Sequence, residues 1–182
     1  RGQRGEELAD MGELAAAGCV AVTDDGKPVA SALLMRRALE YAKGFGLTVI
    51  SHCEDLDLAA GGAMNEGVTS TFLGLPAIPA EAEETMVARD LLLARRTGAR
   101  LHLAHLSTRG SLMLLRWAKR LGLPVTGETA PHYFTLTDEV VRSFDAVYKM
   151  NPPLREVEDR DAVVKAVARG TVDAIASDHA PH

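Results

Sequence analysis

Five short runs of β-branched and apolar residues punctuate the chain, at Val20–Asp24, Thr48–His52, Arg100–His105, Val125–Glu128 and Ala174–Ser177. Between them lie stretches in which apolar residues recur three and four apart, at Glu6–Ala17, Ser31–Phe45, Ala82–Thr97, Ser111–Leu121 and Asp159–Ala168. That alternation constrains the chain to repeated βα units and a parallel sheet, an α/β fold. Leu33, Leu34, Ala38, Tyr41 and Ala42 mark the apolar stripe of the second helix, and Gly98 and Gly122 follow the third and fourth helices as caps. Ser111 and Asp159 are read as N-caps, and Glu83, Glu84, Arg95 and Arg96 as charges complementing the dipole of their helix. Ala146–Met150 is an extra strand or part of a loop. Leu58–Pro79, with four glycines and two prolines and no clear period, reads as a long βα loop.

Composition narrows the partners. The chain is 47% hydrophobic and 25% charged, so it can bury a real core. A net charge of -5 with scattered basic residues argues against nucleic acid. No apolar run approaches the roughly 20 residues that span a bilayer, and no secretory signal opens the chain, so the expected location is cytoplasmic, away from any membrane. Cys19 and Cys53 are too few for a disulfide framework and read as reduced core or site-lining thiols. The start at Arg1 rather than methionine and the stop at His182 lead us to expect a piece of a longer protein.

The chemistry sits at the strand ends, which read Thr23-Asp24-Asp25-Gly26, Ser51-His52-Cys53-Glu54, Ala104-His105-Leu106-Ser107, Gly127-Glu128-Thr129 and Ser177-Asp178-His179. In a parallel barrel all strand C-termini meet at one mouth, so these residues, distant in sequence, would converge. Counting by twos places Asp25 with Ala21 and Thr23, and Asp178 with Ala174 and Ala176, on the inward side of their strands. Histidine nitrogen and carboxylate oxygen are ordinary zinc ligands, and a catalytic zinc keeps a position for water whose pKa it lowers toward roughly 7. Asp178 is placed to accept the nucleophile's proton and deliver it to a leaving nitrogen, an outline for hydrolysing a cyclic amide.

These residues carry a resemblance. Thr23-Asp24-Asp25-Gly26, His52-Cys53-Glu54-Asp55, His105-Leu106-Ser107-Thr108, Pro131-His132, Lys149-Met150-Asn151-Pro152-Pro153-Leu154-Arg155 and Ser177-Asp178-His179-Ala180-Pro181-His182, in this order and spacing, resemble bacterial class I dihydroorotases of the amidohydrolase superfamily. The resemblance implies a (β/α)8 barrel of which this polypeptide is the C-terminal portion, roughly strands 4 to 8, with the first strands and the very C-terminal end missing. It implies that Asp25 bridges two zinc ions, that His52 and His105 ligate the second, and that Asp178 binds the first and acts as catalytic acid/base. Asn151 and His182 would contact the substrate. The implied activity interconverts L-dihydroorotate and N-carbamoyl-L-aspartate in pyrimidine synthesis, and the implied partners beyond that small molecule are a second copy or aspartate transcarbamoylase. The family's His-x-His-x-Arg segment is absent from the sequence, and Tyr133 stands where many relatives have a second histidine, so little turnover is expected of these 182 residues by themselves.

Plainer readings stand beside these. Asp24-Asp25-Gly26 is also an everyday turn, and Asp24 is assigned to that role because only Asp25 has inward parity. His102 has the parity opposite to the inward set of its strand and is read as structural, while His132 and His179 are either groups orienting the ligands or loop packing. Asn151-Pro152-Pro153 makes a rigid turn in any case, with an amide suited to the donor and acceptor edges of a pyrimidine ring. Cys53 is read as a packed thiol, and Arg36, Arg37, Arg95 and Arg96 as solvated helix faces. The competing functions are a related cyclic amidohydrolase, dihydropyrimidinase or allantoinase, against which Asp-Asp-Gly in place of a strand-end lysine argues, and a noncatalytic scaffold for aspartate transcarbamoylase.

Overall fold

A computed structural model describes residues 4–180. In sequence order the elements are α1 (Met11–Ala16), β1 (Ala21–Thr23), α2 (Ala32–Gly44), β2 (Thr48–Ser51), β3 (Met64–Asn65), α3 (Val68–Leu73), β4 (Ala77–Ile78), α4 (Glu81–Thr97), β5 (Leu101–Leu103), α5 (Arg109–Arg120), β6 (Val125–Thr129), α6 (Pro131–Thr135), α7 (Val157–Ala168) and β7 (Ala174–Ile175). The order β1-β2-β5-β6-β7 makes one five-stranded sheet in which all pairs are parallel. The five runs expected as strands are these five, four of them trimmed at one or both ends and β6 extended by one residue to Thr129. Neighbours that follow sequence order, joined by helical crossovers, form an arc of a (β/α)8 barrel.

Residue alternation separates the two faces of the sheet. Val49, Leu101, Leu103 and Val125 are buried in one core with Met35 and Leu39 of α2, Val87 and Leu91 of α4, Leu115 of α5 and Val163 of α7. Thr48, Ile50, His102, Thr126 and Glu128 take the other face, where they are less buried. Gly127 allows α5 to lie close on β6, since a Cβ there would stand 2.7 Å from Leu115 Cδ2.

Local chemistry sets the helix ends. Asp10, Ser31 and Thr108 accept hydrogen bonds from the backbone N–H of Glu13, Leu34 and Ser111, respectively, at 3.1–3.3 Å. Gly98 closes α4 with φ +65°. Several expectations are corrected. Thr108, not Ser111, caps α5, because Ser111 already lies in the first turn. Glu156 precedes α7, and Asp159 instead accepts from the Arg109 N–H at 2.8 Å. The buried stripe of α2 is Met35, Ala38, Leu39 and Ala42, with Leu33 58% exposed on the far side. Of the two readings of Ala146–Met150 the loop holds, with a 3-10 turn over Ala146–Tyr148, whereas the segment read as a long loop contains the two-stranded β3–β4 sheet around α3. Among the described residues no helix is long and apolar enough to cross a membrane.

The two thiols part company. Cys53 is packed beside Ser51 and Asp90, and burial, reinforced by the Asp90 charge, pushes its thiol well above the ordinary range. Cys19, expected in the core or at the site, is exposed. We therefore expect a disulfide reagent at neutral pH to titrate Cys19 in the native protein and Cys53 only after unfolding. Labelling of both at one rate without denaturant would contradict this packing.

Candidate metal centre

Parallel pairing brings three strand ends side by side. Beyond β1 the backbone turns over Asp24–Lys27, with the Lys27 N–H donating to the Asp24 carbonyl at 2.9 Å and Gly26 at φ +77°. The Asp24 side chain latches this turn by accepting from the Val29 N–H at 2.9 Å, and grips β2 by accepting from the His52 N–H at 2.8 Å. Burial pushes its carboxyl up, while the two backbone bonds pull the other way. Asp24 is thus the turn-former expected, and it also fixes the backbone of the histidine next door.

With the turn held, the Asp25 carboxylate meets both histidines. Its Oδ1 lies 3.3 Å from His52 Nδ1 and 3.4 Å from His105 Nε2, and those two nitrogens are 2.8 Å apart. Ligands about 2.0–2.1 Å from a tetrahedral zinc stand about 3.3 Å from one another. Two edges of the triangle match that spacing, and the shorter third closes as a hydrogen bond between rings packed edge to face at 4.6 Å. Oxygen and two imidazole nitrogens are also the donor set expected of zinc or a similar divalent cation, so the residues fit one. Asp25, His52 and His105 form the one such cluster among the described residues.

His105 reaches this position by breaking strand geometry. Leu101 and Leu103 face the helices, and regular alternation would send residue 105 the same way. Its φ of +35°, rare for a residue with a Cβ, turns the side chain to the rim instead. His102 is corrected accordingly. It lies on the inner face, where its ring bonds Thr126 Oγ1 at 2.7 Å and Glu128 Oε2 at 3.1 Å. Its role stays structural.

The electrostatics are those of anions around buried rings. The hydrogen bond with His105 holds Asp25 below the usual carboxylate range. Burial opposes a charged His105, but the Asp25 hydrogen bond and the charges of Asp178, Asp25 and Glu83 outweigh it and raise its pKa. Glu54 lies 3.2 Å from His52 Nε2, the nitrogen turned away from Asp25. Burial pushes Glu54 up, yet its bonds to His52 and Asn151 win and lower it. A carboxylate on the far nitrogen fixes the ring's tautomer and orientation.

Asp25, His52, His105, His132, Asn151 and Asp178 line one cavity of about 690 Å³. Asp178, at φ +50°, stands on its wall outside the three-residue cluster, and its charge acts on His105 and His132. His132 is half-buried with Nε2 unpaired among the described residues, and burial lowers its pKa. His179 also lines the wall, whereas His182 lies outside the described residues.

Sequence reasoning passes over three carboxylates, two buried and one half-buried, or assigns them bland roles. Glu83, read as a dipole partner, is 3% exposed and accepts from the Ser107 and Thr108 N–H groups at 3.1 and 3.2 Å. Asp90, fully buried, accepts from Ser51 Oγ at 2.7 Å and pairs with Arg89 at 2.7 Å, steadying the residue before His52. Glu54 receives no role from sequence. A signal exists for the helical pair, because Glu83 and Asp90 interrupt the apolar face made by Ala82, Met86, Val87, Leu91 and Ala94.

A profile described as Dihydro-orotase-like matches residues 1–111. The chain belongs to the dihydro-orotase-like family. It is 61% identical to a dihydroorotase of Syntrophobacter fumaroxidans over 181 residues and 60% identical to one of Pelotomaculum thermopropionicum over 182. Both alignments take in 100% of the chain but only 41% and 43% of those relatives, so it spans about two-fifths of their length. Among solved structures, a D-hydantoinase (dihydropyrimidinase) from Thermus sp. superposes with TM-score 0.78 at 26% identity, over 94% of the chain and 40% of that structure. A dihydroorotase from Campylobacter jejuni superposes with TM-score 0.71 at 16% identity over 97% and 50%, a likeness of fold.

His52→Ala or His105→Ala is expected to weaken cobalt(II) or zinc binding by more than roughly 100-fold, since even outer partners are worth about 10- to 100-fold. Glu54→Gln should cost about tenfold. Cobalt absorption titrations read both, and undiminished affinity in the histidine variants would remove these rings from the cation's shell.

Proposed function

We propose that the whole protein to which these residues belong is a zinc-dependent dihydroorotase, with residues 1–182 supplying the C-terminal portion of its catalytic barrel. The observation that carries this reading is the meeting of Asp25, His52 and His105 at one rim, in a sequence about 60% identical to dihydroorotases. Zinc bound there supplies Lewis acidity toward the amide carbonyl and lets water act as nucleophile at neutral pH.

The remaining work falls to side chains. Asp25 presents one oxygen to both histidines and leaves over half its side chain open to the cavity, as a carboxylate shared with a second cation requires. His52 and His105 would hold one cation from the buried side, and Asp178 would serve as a ligand to the other. Asp178 also takes the proton that the attacking water gives up and returns it to the ring nitrogen as the carbon–nitrogen bond breaks. Asn151, which lines the cavity and is bonded to Glu54, offers an amide to the pyrimidine edge, and His182 is assigned a substrate contact with it. The substrate is a small anionic cyclic amide.

The likeness to D-hydantoinase raises a second reading, a dihydropyrimidinase, with the same metal chemistry and a neutral ring as substrate. Asp25 at the end of β1, in place of a strand-end lysine, favours the first. Assays of the whole protein on L-dihydroorotate, dihydrouracil and allantoin separate them. We expect hydrolysis of dihydroorotate that a chelator abolishes and zinc restores, and an Asp178→Asn variant with kcat lowered about 10²- to 10⁴-fold. Preference for dihydrouracil or allantoin would transfer the assignment, and no turnover of any would favour a scaffold.

A further inference from the structure

Behind the cavity wall lies a polar unit that the reaction does not use directly. Glu83, at the start of α4, and Arg155, ahead of α7, are each 3% exposed. Their direct approach is long, 3.9 Å between Arg155 Nη2 and Glu83 Oε2, and the Ser107 hydroxyl joins them by donating to Glu83 and accepting from Arg155 Nε at 3.0 Å. Arg155 Nη1 donates to Asn65 Oδ1 at 2.9 Å and to the Ile78 carbonyl at 3.2 Å, tying in the small β3–β4 sheet.

The position of this unit gives it a consequence. Glu83 holds the N–H groups of Ser107 and Thr108, the second and third residues after His105, whose backbone is left-handed. Such a conformation is strained for a residue with a Cβ and persists only where its surroundings over-determine it. Arg155 lies four residues after Asn151 in a segment whose residues 152–155 are all buried, and Tyr133 Oη pins that segment by donating to the Pro152 carbonyl at 2.7 Å. Glu83, Arg155, Glu54 and Asn151 all line one small void. A buried ion pair is weak as a source of stability, because desolvation offsets its attraction. Two charges retained here are better explained by the geometry they enforce.

We infer that Glu83 and Arg155, joined through Ser107, are positioning residues that hold the His105 turn and the Asn151 segment in one fixed relation, so that the cation side and the substrate side of the cavity are set together. This rests on the reading of His105 as a cation ligand and Asn151 as a substrate contact. The mark of a joint device is a crossed effect, in which each variant moves both readouts.

The test uses the whole protein with Glu83→Gln, Arg155→Lys and the milder Ser107→Ala, which deletes only the bridging hydroxyl. Each is read by cobalt(II) affinity and by KM and kcat for L-dihydroorotate, well below its own unfolding midpoint. We expect Arg155→Lys to weaken cobalt binding at least fivefold although Arg155 is on the substrate side, and Glu83→Gln to raise KM at least fivefold although Glu83 is on the cation side. Ser107→Ala should move both in the same direction by less. If Glu83→Gln altered only cobalt affinity and Arg155→Lys only KM, the two sides would be independent and the inference wrong. Variants less stable but unchanged in both readouts would likewise reduce the unit to a structural one, and Ser107→Ala decides should the charged variants not fold. Failure of the parent reading looks different, since the unsubstituted protein would then not hydrolyse dihydroorotate while the cobalt titration still reports on the His105 side.

Discussion

Parallel pairing of consecutive strands is the constraint from which the rest follows. It sends every strand C-terminus to the same rim, and adjacent strands lie about 4.8 Å apart, within side-chain reach of one another. β1, β2 and β5 are neighbours in the sheet, so the residues just beyond them meet without any long-range docking. Asp25 and His52 are carried there by short turns from the strand ends. His105 needs more, because the helix-facing residues of β5 share its parity, and its left-handed backbone supplies the turn.

Behind the strand ends stands a set of buried carboxylates. Asp24 holds the His52 N–H, Asp90 holds Ser51 ahead of it, and Glu83 holds the two N–H groups that follow Leu106. Burial pushes up the pKa of Asp24 and of Asp90, which records the cost of keeping such groups out of water. With backbone donors aimed at Asp24 and Glu83, and the Ser51 hydroxyl and Arg89 at Asp90, they convert that cost into rigidity at the cluster, where ligands must stay within fractions of an ångström. Stability and site geometry therefore draw on the same residues, and substitutions that spare the ligands can still disturb the cavity.

Element by element, legibility tracks how local the cause is. The five strands can be read because β-branched runs bounded by turn residues report on neighbours in sequence, and Gly98 because a left-handed cap needs no tertiary partner. Leu33 escapes such a reading because α2 has apolar residues on more than one side, and only the position of the sheet selects Met35 and Leu39 as the buried set. The cap of α5 falls one turn before Ser111, since Thr108 offers the same capping chemistry three residues earlier. Cys19 looks like a core residue by type, and its exposure depends on what packs beyond the start of β1.

What the amino-acid order alone determined was the βα rhythm, the parallel sheet it demands, and the identity of the residues that arrive at the rim, because these depend on periodicity and on strand ends. What only the folded molecule decided was how those residues meet: the 2.8–3.4 Å triangle of Asp25, His52 and His105, the inward turn of His105 against its own parity, and the recruitment of Glu54, Glu83 and Arg155 behind the wall. The physical reason is that a charged side chain reads as solvated until packing shows water excluded from it. Contacts between segments that are distant along the polypeptide leave no periodic trace in the sequence.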